Sequence, residues 1–207
     1  MDLLQKASQF AMDAHREQKR KSSGIPYVTH CFEVMKRMSN YGVEDKNLLS
    51  AALLHDVIED CPNFVKRMRS SFHDDVYQIV KECSRPEGDE ATKHEKFEFL
   101  KTFQSKSNES LILKIADRYC NVYDYLNTPE KEGYASQYAL QAFPLYSVFL
   151  QRVSMNQMKF SEYIMRKVLE DIMILWYNII ARVYDISAIK IANPTESDWE
   201  YVYQQVV

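Results

Sequence analysis

From Leu4 onward the chain sets apolar residues three and four positions apart, at Leu4, Ala7, Phe10, Ala11 and Ala14. That period predicts a helix with one buried stripe over about the first twenty residues. A basic, polar loop from Lys19 to Pro26 follows, where Gly24 and Pro26 break regular structure. A second helix is predicted from about His30 to Asn40, ended by Tyr41-Gly42. Asn47 opens an apolar run through Ala51, Ala52, Leu53 and Leu54 that leads directly into His55-Asp56. Cys61-Pro62 closes that helix, because proline disfavours helical backbone in the residue before it. Two more helices fit between Pro62 and Cys83, and Ser84 to Ala91 reads as a loop. Helices resume at about Thr92–Phe103 and Leu111–Leu126. Thr128-Pro129 reads as an N-cap followed by proline at the first helical position. The helical pattern then continues to Val207, its last helix capped by Thr195 and Asp198. No segment alternates as a strand would, so the expected class is all-α.

Composition narrows this picture. The 207 residues are 46% hydrophobic and 27% charged, ordinary for a globular chain, and only four glycines and six prolines occur. A net charge of −3 with scattered basic residues argues against duplex nucleic acid as a partner, although a small anion needs only a few local cations. Cys31, Cys61, Cys83 and Cys120 form neither a C-x-x-C pair nor a cluster. They read as reduced thiols of a cytoplasmic protein. Acidic and polar residues in the first nine positions argue against a secretory leader. Asn178, Arg182 and Asp185 interrupt the apolar stretch from Ile172 to Ile191, so no membrane span is expected.

The chemistry concentrates at His55-Asp56-Val57-Ile58-Glu59-Asp60. On a continuous helix His55 and Glu59 stand one turn apart, as do Asp56 and Asp60, so all four share one side. They follow Leu53-Leu54, which ought to be buried, and packing acids and an imidazole beside a core costs several kcal/mol without a partner. A divalent cation is the natural partner; a solvated acidic helix end is the plain alternative. One His-Asp pair cannot complete such a site. His30 opens a helix, and Asp117 is an acid on the apolar segment Leu113-Lys114-Ile115-Ala116-Asp117-Arg118, with Asn121 one turn beyond. Taken singly, His30 could bond backbone and Asp117 could form an intrahelical ion pair. Jointly, two imidazoles and two carboxylates suit manganese, iron or another divalent ion better than thiol-loving zinc.

Three strings carry a resemblance. They are Ala14-His15-(x2)-Gln18-(x)-Arg20-Lys21-Ser22-Ser23-Gly24-Ile25-Pro26-Tyr27-Val28-Thr29-His30, then Ala51 through Asp60, then Leu113 through Arg118 with Asn121. In that order, over residues 1–130, the chain resembles the RelA/SpoT hydrolase domain, and within it the short single-domain alarmone hydrolases. The resemblance implies an HD-domain helical bundle over residues 1–150, with an extra C-terminal helical segment, 151–207, packed on the same domain. It implies metal-dependent 3′-pyrophosphohydrolysis of guanosine 3′,5′-bis(diphosphate)-type alarmones, usually with Mn²⁺. His30, His55, Asp56 and Asp117 would hold the metal; Glu59 and Asp60 would order water and shuttle its proton. Asn121 would steady the phosphoryl group near the metal. Arg20 and Lys21 would lie against base and phosphates, and Lys93 would hold a phosphate.

Departures from the family pattern bear on the substrate. One extra residue lies between Arg20 and His30, a doubled serine at Ser22-Ser23, and Cys31 replaces a proline. Where short alarmone hydrolases place an arginine and then a tyrosine, this chain has Tyr138 and Ala142. An adenine alarmone or the 2′-phosphate of NADPH therefore stands beside the guanosine alarmone as substrate. A non-catalytic nucleotide sensor is the reading of another class, although a pure binder has no need of Glu59, Asp60 and Asn121. Ile164, Val168, Ile172, Leu175, Ile179 and Val183 are spaced for one helical face, as added core or as a dimer surface or lid. The expected assembly is a monomer or homodimer acting on a small nucleotide.

Overall fold

The computed structural model describes residues 2–21, 23–85, 91–128 and 132–207. Among these the secondary structure is helical, apart from one antiparallel bridge between Lys19 and Pro26. Two compact units divide the chain, Met1–Glu90 and Ala91–Val207.

In the first unit, α1 spans Leu3–Ala14, α2 Val28–Asn40, α3 Lys46–Leu54, α4 Val57–Asp60, α5 Val65–Ser71 and α6 Asp74–Cys83. The centre is α3, where every residue from Leu48 to Leu54 is buried and which packs against α1, α2 and α6. Ala7 and Ala11 on α1 and Ala51 and Ala52 on α3 are fully buried. The Asp45 carboxylate starts α3 by accepting from the Asn47 and Leu48 amides at 2.7 and 3.3 Å, two of the donors a helix start leaves unsatisfied.

Two expectations shift here. The first helix stops at Ala14 rather than near residue 20, because His15 turns inward and the Gln18 amide closes a turn on the His15 carbonyl. The chain from Gln18 to Tyr27 then folds back on itself. Tyr27 N–H donates to the Gln18 carbonyl and Arg20 N–H to the Ile25 carbonyl, with Gly24 at φ 73° making the reversal. The helix expected to run unbroken through His55-Asp56 is in fact two, α3 ending at Leu54 and α4 starting at Val57. His55 Nδ1 donates to the Ala52 carbonyl at 2.8 Å, so the ring competes for the acceptor that the Asp56 amide would use in a continuous helix.

In the second unit, α7 spans Lys93–Lys101, α8 Asn108–Leu126, α9 Glu132–Gln141, α10 Phe143–Ser154, α11 Glu162–Met173 and α12 Glu196–Val206. Here α8 is central, buried from Ser110 to Tyr119, with α9, α10 and α11 packed on it. Thr195 and Asp198 form a capping box at the start of α12, as expected. Pro129 of the expected Thr128-Pro129 start lies outside the described residues. The helical pattern expected through to Val207 is interrupted between α11 and α12. After α11 the backbone widens into a π-helix over Ile174–Ile179 and then a 3-10 turn over Ile180–Arg182. The change of period rotates the apolar face: Val168, Ile172, Leu175 and Ile179 are buried as expected, but Val183 is 63% exposed. Beyond it the backbone is irregular, with Ser187 N–H bonded back to the Asp185 carboxylate.

Because α3 is the shared packing surface of the first unit, Leu53→Ala should lower unfolding free energy by about 2–5 kcal/mol. Urea titration followed by circular dichroism measures it.

Candidate metal centre

The apolar run of α3 delivers His55 and Asp56 to a buried position because Leu53 and Leu54 have no accessible surface. A carbonyl only accepts, so the bond from His55 Nδ1 to Ala52 fixes the hydrogen on Nδ1 and leaves Nε2 as a lone pair in the neutral ring. That Nε2 faces Asp56 Oδ2 at 2.9 Å, and His30 Nε2 lies 3.8 Å from the same oxygen. A lone pair opposite a carboxylate oxygen calls for a positive charge, either a second ring proton or a cation shared by both atoms. Among the described residues, His30, His55 and Asp56 form the group able to share one ion, one ligand atom of each lying within 4.8 Å of the others. The set is nitrogen and oxygen, buried and free of thiolate, and it fits a divalent cation.

Neighbours fix this group. Tyr27 Oη donates to Asp56 Oδ2 at 2.6 Å, and burial, then the Asp56 and Asp60 carboxylates, push its phenol pKa far up. The Arg20 guanidinium lies 5.7 Å from the centroid of the Tyr27 ring, and the His15 ring rests 5.0 Å from it. His15 is held neutral, its pKa lowered mainly by burial, and its Nδ1 bonds the Gln18 amide oxygen. Gln18 Nε2 in turn donates to the Asp60 carbonyl at 3.2 Å. Burial, then Asp60 and Asp56, pushes the Cys61 thiol up to about 12, so it stays protonated at neutral pH. Arg20 is buried and Lys21 exposed, at the turned-back segment that leads to Tyr27.

Glu59 is nearly buried, and Arg85, just past the end of α6, holds it twice: through an ion pair and through a backbone N–H 3.1 Å from Oε2. Arg85 was not foreseen, since it lies in the polar segment read as a loop. In the second unit Asp117 is buried on α8, paired to Lys114 Nζ at 2.9 Å and accepting from Asn121 Nδ2 at 2.6 Å. The i,i+3 spacing of Lys114 and Asp117 was the available signal, and the intrahelical pair it allows is present. Lys93 and Lys96 line a groove of about 450 Å³ with Tyr125, Tyr138, Gln141 and Val206. Behind Tyr138, the buried Arg118 guanidinium stands 3.8 Å from the ring centroid and reaches Gln141 Oε1 at 3.4 Å. His73 caps α6 and His94 bonds Tyr203, so neither belongs to the His30 cluster.

An all-helical fold with a buried His-Asp step facing a second histidine defines the class of HD proteins. The family model for the HD domain matches residues 7–155, and the chain belongs to that family. The human guanosine-3′,5′-bis(diphosphate) 3′-pyrophosphohydrolase MESH1 is 30% identical over 142 residues, covering 68% of this chain and 78% of that protein. A GTP pyrophosphokinase of Streptomyces coelicolor is 30% identical over 161 residues, which is 75% of this chain but only 18% of that protein. Among solved structures, a metazoan ortholog of SpoT that hydrolyzes ppGpp superposes with a TM-score of 0.64 at 25% identity, covering 83% of this chain and 94% of that one.

Breaking the buried Lys114–Asp117 pair by Lys114→Met should destabilise the metal-free protein by about 3–5 kcal/mol, because the carboxylate loses its cationic partner. Adding Asp117→Leu should restore most of that loss. Denaturant titration of both variants at neutral pH makes the comparison.

Proposed function

We propose that this chain is a metal-dependent hydrolase that removes pyrophosphate from the 3′ position of guanosine 3′,5′-bis(diphosphate)-type alarmones. One observation carries the reading: two imidazoles and a carboxylate converge at the buried end of α3, in a chain of the HD family. Relatives over most of its length support the substrate class, since MESH1 is named for this activity and the SpoT ortholog hydrolyzes ppGpp.

In this reading His30, His55 and Asp56 hold Mn²⁺, with Asp117 as the fourth ligand on the ground of motif order. A divalent cation supplies Lewis acidity to phosphoryl oxygens and makes water more acidic. Glu59, kept in place by Arg85, and Asp60 order the attacking water and take its proton. Asn121 steadies the phosphoryl group. Arg20 offers a guanidinium plane for the guanine base, while Lys21 and Lys93 supply point charges to phosphates. Residues 1–150 form the hydrolase domain and 151–207 an extension of it. The protein works in the cytoplasm, as a monomer or homodimer, without nucleic acid or membrane partners.

Purified protein with Mn²⁺ and a panel of guanosine 3′,5′-bis(diphosphate), adenine alarmone and NADPH should release pyrophosphate from the guanosine compound and lose that activity in chelator. Preferential loss of phosphate from NADPH or the adenine alarmone would replace the substrate, and no turnover of any would leave a nucleotide sensor. Glu59→Gln should lower kcat by about 100- to 10,000-fold, the usual share of general acid–base catalysis. Its Mn²⁺ affinity should change little.

A further inference from the structure

Three polar atoms crowd Asp56 Oδ2. The imidazole nitrogens of His55 and His30 lie at 2.9 and 3.8 Å, and the Tyr27 hydroxyl lies at 2.6 Å. A carboxylate oxygen carries two lone pairs, and a phenol at neutral pH is a donor. Donation from Tyr27 therefore occupies one lone pair and sets the rotation of the carboxylate. A side chain in this position acts on a metal through its ligand, and such partners orient and tune the ligands they touch.

The ring of Tyr27 does a second job. It meets both the Arg20 guanidinium, 5.7 Å from its centroid, and the His30 ring, 5.8 Å away at 67°. The backbone of Tyr27 is also pinned, its N–H donating to the Gln18 carbonyl at 2.9 Å. Hydroxyl, ring and main chain are each tied to a different partner. The hydroxyl fixes Asp56, and the ring gives the arginine a surface to lie on.

We infer that Tyr27 is a positioning residue of the metal centre: its hydroxyl orients Asp56 for a divalent cation, and its ring seats Arg20 beside that centre. The inference rests on reading His30, His55 and Asp56 as metal ligands. Tyr27→Phe separates the two roles, since it removes the hydroxyl and keeps the ring.

The test is calorimetric titration of Mn²⁺ alone into wild-type and Tyr27→Phe protein, without nucleotide. The expected result is an affinity about 10- to 100-fold weaker in the variant, the usual cost of losing a partner of a metal ligand. The metal-free thermal midpoint should fall modestly, because the buried Asp56 carboxylate loses a donor. The Mn²⁺-induced rise in thermal midpoint should shrink as well, and this comparison does not require the two proteins to be equally stable. Equal Mn²⁺ affinity within twofold overturns the inference and leaves the metal centre standing. A wild-type protein that binds no Mn²⁺ overturns the metal centre and the inference together.

Discussion

Burying a carboxylate against two imidazoles is the constraint on which the first unit turns. Moving a charge from water into a protein interior costs several kcal/mol, and neighbours must supply that in hydrogen bonds or opposite charge. Around Asp56 one neighbour donates a hydrogen bond, and the facing imidazole nitrogens call for a proton or a cation. Tyr27 donates to one oxygen, two ring nitrogens crowd the same atom, and the His55 ring is committed through Nδ1 to a backbone carbonyl. The packing that forces the arrangement is apolar. With Leu48 to Leu54 buried on all sides, α3 cannot turn its C-terminal end outward without exposing its flanks. Stability of the core and geometry of the site are in this respect one property.

The same rule repeats at three further charges held below the surface. Glu59 is matched by Arg85, Asp117 by Lys114 and Asn121, and Arg118 by the face of Tyr138 together with Gln141. None of these groups sits in apolar surroundings alone. A buried ion pair is weak support for stability but strongly constrains which side chain can point where. Here it holds carboxylates, the groups most useful for cation and proton chemistry, in fixed orientations.

Much of this was legible from residue order. Residue order locates α1, α2, α3 and α8: α1 and α2 bury one face each, while α3 and α8 are buried along consecutive residues, Leu48–Leu54 and Ser110–Tyr119. The capping residues Thr195 and Asp198 mark the start of α12, where the Thr195 hydroxyl accepts from the Asp198 amide and the Asp198 carboxylate accepts from the Thr195 amide. His55 and Asp56 were readable because polar residues set against an apolar run demand a partner, and His30 joined them through the family resemblance. What escaped has physical reasons too. The step between α3 and α4 comes from a side chain competing with backbone for one carbonyl, which propensity does not encode. The loss of register after Met173 follows from a widened helical turn whose sequence, Ile-Leu-Trp-Tyr-Asn-Ile, looks like ordinary buried helix. Arg85 pairs with a glutamate 26 residues earlier, a tertiary contact that no local pattern announces. The proposal that Asp117 is a metal ligand comes from motif order; in the structure Asp117 pairs with Lys114 and accepts from Asn121.

The groove that holds Lys93 and Tyr138 takes part of its wall from Val206, on the last helix, whereas the HD family match ends at residue 155. A chain trimmed to the family boundary would therefore lose an apolar flank of that cleft and present a wider, wetter opening to any small molecule. Ligand preferences measured on such a fragment would describe a different surface from that of the intact chain.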